Sequence, residues 1–303
     1  MYCLKLREIV LGLSMAAVSV SAVAASSGAS NAAAGALHLS NARGPLRAVD
    51  FSPFKGEVSS EILAGPANGL DSAFLMYTRM TAGAKPNGLY TLPVDHTYLV
   101  LAGRLNVQLG TDRFVAGPET LVLVPAGMPH QVWNESGEPE ADFEVVTPAP
   151  SRDLPSMMKP AEARKIENAA QYVRVAPALG QLAGGTGHAS LNERILANRA
   201  TGSQHVLERL NDMLPGGGRT ETHLHPFDQA YFIRKGTMTV EYGLSKFEAP
   251  ANTLVVLPAG MPHNNLNNAS TEQSVITLLL PEPEKGQPLG AGVVINRAGG
   301  GGQ

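Results

Sequence analysis

The chain overlays on itself. Shifted by 133 positions, Pro125-Ala126-Gly127-Met128-Pro129-His130 falls on Pro258-Ala259-Gly260-Met261-Pro262-His263. The same gapless shift pairs Ile62-Leu63-Ala64 with Ile195-Leu196-Ala197, Asp95 with Asp228, Tyr98 with Tyr231, Gly103 with Gly236 and Gly110 with Gly243. Over residues 62–134, 25 of 73 positions are identical at this offset. A constant offset of this length marks a duplicated domain, and 133 residues far exceed the roughly 20–50 of solenoid repeats. Two globular domains therefore share the 303 residues, in line with about 150 residues per domain.

Composition decides the fold class. The chain has 32 Gly and 22 Pro, with short alternating apolar runs between them, a pattern of strands punctuated by turns. Tyr98–Leu101 and Leu105–Leu109, like Tyr231–Ile233 and Met238–Tyr242, are expected to form hairpins with glycine at the turns. Leu121–Val124 and Leu254–Leu257 read as interior strands. Glu138–Pro160, with five prolines, reads as the connector, and 162–171 as a place for a short helix. Only 16% of residues are charged and the formal charge is −3, so a phosphate-binding basic face and a disordered charged tail are both excluded.

Residues 1–24 run from Lys5 and Arg7 through an apolar stretch to Ala22-Val23-Ala24. This is the form of a cleaved secretory signal, and the apolar run is short for a membrane span. Cleavage removes Cys3, the sole cysteine, and leaves 21 basic and 25 acidic residues, a charge of −4. The mature chain is expected in the periplasm or outside the cell, clear of the membrane, with neither a disulfide nor a thiol nucleophile.

The chemistry gathers in the second copy, in Arg219-Thr220-Glu221-Thr222-His223-Leu224-His225-Pro226-Phe227-Asp228-Gln229 and in His263. On a strand His223 and His225 share a face. Two imidazoles at i and i+2, a third from a distant strand and the amide oxygen of Gln229 make a shell for one divalent transition metal with positions left open. Arg219 and Glu221 share the parity of the histidines. Arg219 is a candidate to hold a substrate carboxylate or phenolate, and Glu221 to act as general base. Tyr231 has the parity of Gln229 and is a candidate to bond a substrate oxygen, or else a core aromatic matched to Tyr98. In the first copy Tyr90, Leu92 and His96 stand at the positions of His223, His225 and Gln229, leaving His96 and His130. That copy is expected to be metal-free and structural, with a second small pocket at Tyr90, His96 and His130 as the other reading.

These residues resemble the motifs of the cupin superfamily. The first motif appears as Gly218, His223, His225, Gln229 and Gly236, with Gln in place of the commoner Glu. The second appears as Pro258, Gly260, His263 and Asn267, with Pro250 in place of its leading Gly. The resemblance covers both copies and implies an all-β bicupin: two tandem jelly-roll β-barrels with few helices. The expected division is a signal peptide at 1–24, a flexible segment at 25–44, an N-terminal barrel at 45–148 and a linker at 149–171. A metal-holding barrel at 172–296 and a flexible tail at 297–303 complete it. The resemblance further implies a Mn, Fe, Ni, Co or Zn ion on His223, His225, Gln229 and His263.

For function, the resemblance to bicupin dioxygenases implies a metal-dependent oxidoreductase acting on a small enolisable or phenolic substrate. A non-redox isomerase or hydrolase of sugar acids and a non-catalytic small-molecule or sugar binder are the alternatives. Small molecules, not nucleic acid or lipid, are the expected partners, and the chain is expected as a monomer or homodimer.

Overall fold

The computed structural model describes residues 46–48, 57–86, 88–150, 154–178, 191–218, 221–286 and 291–293. The expected signal peptide at 1–24, the segment 25–44, the tail 297–303, and Arg219 lie outside the described residues. Residues 31–303 make one compact unit, and among the described residues no helix is long and apolar enough to cross a membrane.

The strands of the first half are β1 (Leu46–Ala48), β2 (Val58–Ala64), β3 (Phe74–Met80), β4 (Tyr90–Thr91), β5 (Asp95–Ala102) and β6 (Leu105–Leu109). They continue with β7 (Asp112–Ala116), β8 (Thr120–Val124), β9 (His130–Trp133), β10 (Glu140–Thr147) and β11 (Lys159–Pro160). The second half has β12 (Val173–Val175), β13 (Leu191–Ala197), β14 (Leu207–Met213), β15 (His223–Leu224), β16 (Asp228–Lys235) and β17 (Thr237–Tyr242). It ends with β18 (Ser245–Pro250), β19 (Thr253–Leu257), β20 (His263–Leu266), β21 (Gln273–Leu280) and β22 (Ala291–Gly292). The protein is all-β, two jelly-roll barrels. Each barrel pairs a six-stranded sheet, β12-β8-β5-β10-β3-β2 or β1-β19-β16-β21-β14-β13, with a five-stranded one, β11-β4-β9-β6-β7 or β18-β17-β20-β15-β22.

The barrels exchange edge strands. β1 precedes the first copy yet pairs with β19 of the second, Leu46 opposite Val255, while β12 precedes the second copy and pairs with β8 of the first, Val173 opposite Val122. Val122 and Val255 are themselves 133 apart, so the exchange is reciprocal. The segments expected within 45–148 and 172–296 thus each lend their first strand to the other sheet.

Three local expectations change. Gly103 and Gly236 are not hairpin turns: β5 and β6 lie in different sheets, as do β16 and β17. The chain turns a corner there at positive φ, and a Cβ on Gly103 would collide with the Pro139 carbonyl. The hairpins form instead at Gly110 and Gly243, where Leu109 pairs with Asp112 and Tyr242 with Ser245. The stretch expected as a connector contains β10, a buried central strand hydrogen-bonded to β3 and β5; its polar residues face the barrel interior, which masks it as a strand. The short helix forms at Leu154–Met157, with a 3-10 turn at Ala169–Tyr172, in place of a helix over 162–171.

Alternation places the core. Leu99, Leu121, Leu123 and Phe143 of the first six-stranded sheet pack against Phe232, Leu254, Val256 and Ile276 of the second. Phe143 stacks on Phe232 with centroids 5.1 Å apart. The intervening residues point into their own barrels, Tyr98, Val100, Val122 and Val124 in one and Tyr231, Ile233, Val255 and Leu257 in the other. Both faces of these strands are buried, so they read as unbroken apolar runs. Each large side chain buried this way contributes about 1.5–3 kcal/mol.

Candidate metal centre

His223 opens β15 and lies directly opposite His263 at the start of β20. His225 follows two residues on, and the ligand nitrogens of the three buried histidines lie within 4.8 Å of one another. Ring centroids stand 4.4 Å apart for His223 and His263, 4.8 Å for His223 and His225, and 5.1 Å for His225 and His263. The rings are anchored from behind. Nδ1 of His223 bonds the Glu221 carbonyl at 3.2 Å and Nδ1 of His263 bonds the Met261 carbonyl at 2.8 Å. An Nδ1–H that donates to a carbonyl leaves Nε2 as the lone-pair donor, the tautomer that binds a metal. His225 stacks on Phe227 with planes 10° apart.

The segment that carries the first two histidines is tied to the turn that ends in the third. Gly260 N–H donates to the His225 carbonyl at 2.7 Å, and Ala259 N–H to Asp228 Oδ1 at 2.9 Å. Strand alternation on β16 turns Gln229 and Tyr231 inward. Gln229 lines the same cavity as His223 and His225, and its Oε1 is buried without a hydrogen-bond partner. Three imidazoles and an orphaned amide oxygen suit a divalent transition metal, so the residues present fit the ion that the sequence motifs imply. The cavity measures about 200 Å³, below the ~300–1,000 Å³ of drug-sized pockets.

A family described as cupin domain matches residues 79–146 and 210–280. The chain is a bicupin. No curated protein matches it. Solved structures share its fold: oxalate decarboxylase from Bacillus subtilis at pH 4.6 aligns at 11% identity, covering 77% of this chain and 75% of that one with a TM-score of 0.57. Another structure of that enzyme, from work on its Mn(II) centres, aligns at 12% identity over 79% and 78% with a TM-score of 0.57. AerE from Microcystis aeruginosa aligns at 13% identity, covering 78% of the bicupin and 97% of its own chain, with a TM-score of 0.54.

The remaining expected site residues fall differently. Tyr231 is buried on the cavity wall and donates from its hydroxyl to Asn265 Oδ1 at 3.2 Å. Glu221 is exposed and does not line the cavity; the strand begins only at His223, so the parity argument fails two residues upstream. Its contribution is the backbone carbonyl that holds His223. The cavity wall adds residues outside the motifs: Glu193, Arg209, Asn211, Asn265 and Thr277. Arg209 and Asn211 alternate along β14, but Glu208 and Asp212 make its other face polar as well, so no alternation in the sequence marks them.

In the first barrel of the bicupin the scaffold persists and the ligands are exchanged. Gly127 N–H donates to the Leu92 carbonyl at 2.7 Å, Ala126 N–H to Asp95 Oδ1 at 2.9 Å, and His130 Nδ1 bonds the Met128 carbonyl at 2.9 Å. Tyr90 fills the place of His223, packs on His130 at 4.3 Å and meets Tyr98, whose hydroxyl lies 3.4 Å from His130 Nε2. His96 Nε2 lies 2.5 Å from Glu144 Oε2, and Thr78 donates to Glu144 Oε1. Burial brings the His130 pKa down to about 4 and pushes Tyr90 up to about 12. Burial works to raise the Glu144 pKa, but the charge and hydrogen bond of His96 outweigh it and hold the carboxyl below its ordinary range. Tyr90, His96 and His130 thus bond within the barrel.

Proposed function

We propose that this bicupin is an exported, metal-dependent enzyme whose single catalytic centre lies in the second barrel, with dioxygenase-like chemistry on a small enolisable or phenolic substrate. The observation that carries this reading is the histidine triad, two of whose members, His223 and His225, line a small cavity together with the buried Gln229 oxygen. His223, His225, His263 and Gln229 would hold one divalent ion. Bound there, such an ion would supply a Lewis acid for a substrate oxygen and, if redox-active, the means for O₂ chemistry. Four neutral ligands leave its positive charge uncompensated, which favours an enolate or phenolate as the incoming ligand.

Acid–base isomerisation of a sugar acid needs a side-chain base within reach of the substrate carbon. Among the described residues lining the cavity the carboxylate is Glu193, and it is engaged by Arg209 at 2.7 Å. That favours direct metal–substrate chemistry. Tyr231, bonded to Asn265, would orient a substrate oxygen, and Leu207, Leu279 and Met213 add apolar side chains to the same cavity.

Manganese is the first ion to load, because one structural neighbour, the Bacillus subtilis oxalate decarboxylase, holds Mn(II) centres; Fe, Ni, Co and Zn follow. Oxygen consumption by the Mn(II)- and Fe(II)-loaded protein with a flavonol and a 1,3-diketone tests the chemistry. Uptake coupled to substrate loss is expected. Turnover of an unsaturated uronate without oxygen uptake would move the reading to the non-redox class, and turnover of neither would leave a binder. Export is checked by the mature N-terminus, expected at Ala25.

A further inference from the structure

The two copies can be read against each other at the positions that surround the triad. Where the first barrel has Met76, Thr78, His96 and Glu144, the second has Arg209, Asn211, Gln229 and Thr277, each 133 residues on. In the first barrel Glu144 enters from the sheet wall, and its carboxylate bonds His96 and Thr78. In the second, Thr277 is too short to follow that path, and the space beside it belongs to the cavity that Arg209, Asn211, Gln229 and Thr277 all line. One copy thus carries the Glu144 carboxylate and an apolar Met76, while the other has Thr277 in place of that carboxylate and carries a guanidinium, paired through Nη1 with Glu193.

Arg209 faces the cavity because β14 alternates Leu207, Arg209, Asn211 and Met213 toward one side. Its Nη1 is held by Glu193 Oε1 at 2.7 Å, and its Nε is buried without a hydrogen-bond partner. One edge of the guanidinium is therefore anchored, and the Nε edge still has a donor to satisfy. Asn211 Nδ2 donates to Thr277 Oγ1 at 2.9 Å, which leaves the Thr277 hydroxyl hydrogen to donate onward. An Arg Nε–H and a hydroxyl on neighbouring strands, with Arg209 opposite Thr277 in register, form a receptor for a carboxylate.

We propose that Arg209 is the specificity-determining residue of the second barrel, and that it selects substrates bearing a carboxylate, seated where Glu144 runs in the first barrel. The inference rests on the metal reading above and deepens it: the ligand presents its enolic or phenolic oxygen to the triad and its carboxylate to Arg209 and Thr277.

Salicylate, which carries both groups, and lactate are the probes, with salicylamide as the uncharged control. Calorimetric titration of the Mn(II)-loaded protein should show salicylate binding more tightly than salicylamide. Arg209→Met, which installs the residue of the first copy, should weaken salicylate by about 10- to 100-fold, the range for losing a charge-assisted hydrogen bond. It should leave salicylamide unchanged, and Arg209→Lys should recover part of the loss. Equal salicylate affinity in wild type and Arg209→Met would overturn the assignment. So would a metal-loaded wild type that binds neither salicylate nor lactate. Metal content, measured on both proteins, separates the two readings: a wild type that takes up no ion refutes the metal centre. The Arg209 assignment is then decided by the salicylate preference and its loss in Arg209→Met on the metal-free protein.

Discussion

Asp228 and Ser72 join the two barrels: Asp228 Oδ2 accepts from the Ser72 hydroxyl at 2.6 Å and from its backbone N–H at 3.2 Å. The other carboxylate oxygen caps the turn before His263 through Ala259. Asp95, its duplicate, does the same in reverse, bonding Ala126 in its own barrel and Gln204 N–H in the other. Each aspartate is therefore both a turn cap and an inter-barrel clamp, beside the residue that faces its barrel's site.

Replacing this clamp should loosen both functions. Asp228→Ala removes three accepted hydrogen bonds from a buried carboxylate and is expected to destabilise the protein by about 2–4 kcal/mol. Asp95→Ala should cost a similar amount but leave metal uptake intact, since it lies in the first barrel. Chemical denaturation and elemental analysis of the two variants check the pair.

Metal stoichiometry tests the triad. The wild type should carry one divalent ion per chain, and His223→Ala or His263→Ala should lose it. Gln229→Glu should tighten binding by adding a charge to the shell. Removing the ion with a chelator should lower Tm, because a ligand bound by the folded state stabilises it by RT ln(1 + [L]/Kd). A stoichiometry of two would place an ion in the first barrel and overturn its structural reading.

Glu208 governs a pH dependence of stability. It is fully buried where the barrels meet, accepts from Thr97 Oγ1 at 2.9 Å, and has its Oε1 without a partner. Burial pushes its pKa from 4.5 up to about 8. A folded-state pKa above the unfolded one means stability is greatest below about pH 4.5 and declines as pH rises toward 8. The full decline amounts to about 5 kcal/mol from this group, at ~1.4 kcal/mol per pKa unit. Glu208→Gln should flatten that slope. Glu208→Leu, which copies Leu75 at the matching position, should be more stable than wild type at pH 8. Urea unfolding at pH 5, 6.5 and 8 measures it.

Glu144→Thr gives the first barrel the residue of the second and empties the space beside His96 and Thr78. The loss of a buried hydrogen-bonded pair is expected to destabilise by about 3–5 kcal/mol without changing metal content, because Tyr90 and Leu92 still replace two imidazoles. Thermal unfolding with elemental analysis reports both.

Much of this architecture is legible in one dimension. The 133-residue offset announces two copies, and alternation with glycine punctuation announces strands. The spacing His223, His225, Gln229 and distant His263 announces the donor set, because strand parity and turn chemistry are local properties. The failures are also local patterns carried too far. Parity does not reach Glu221, which lies before the strand that begins at His223. Gly103 has the look of a hairpin glycine, although the strands on either side of it join different sheets. Glu140, Asp142 and Glu144 make β10 look too polar to be a core strand.

The sequence by itself determined the duplication, the all-β class and the residue types able to ligate a metal, since these depend on neighbours along the chain. Tertiary structure alone decided that β1 and β12 trade barrels, that Asp228 reaches Ser72, and that Arg209 and Thr277 line one cavity with His223 and His225. Those relations link residues from 14 to 209 positions apart, brought together by sheet pairing and burial, and nothing in local pattern specifies which distant partner a buried polar group will find.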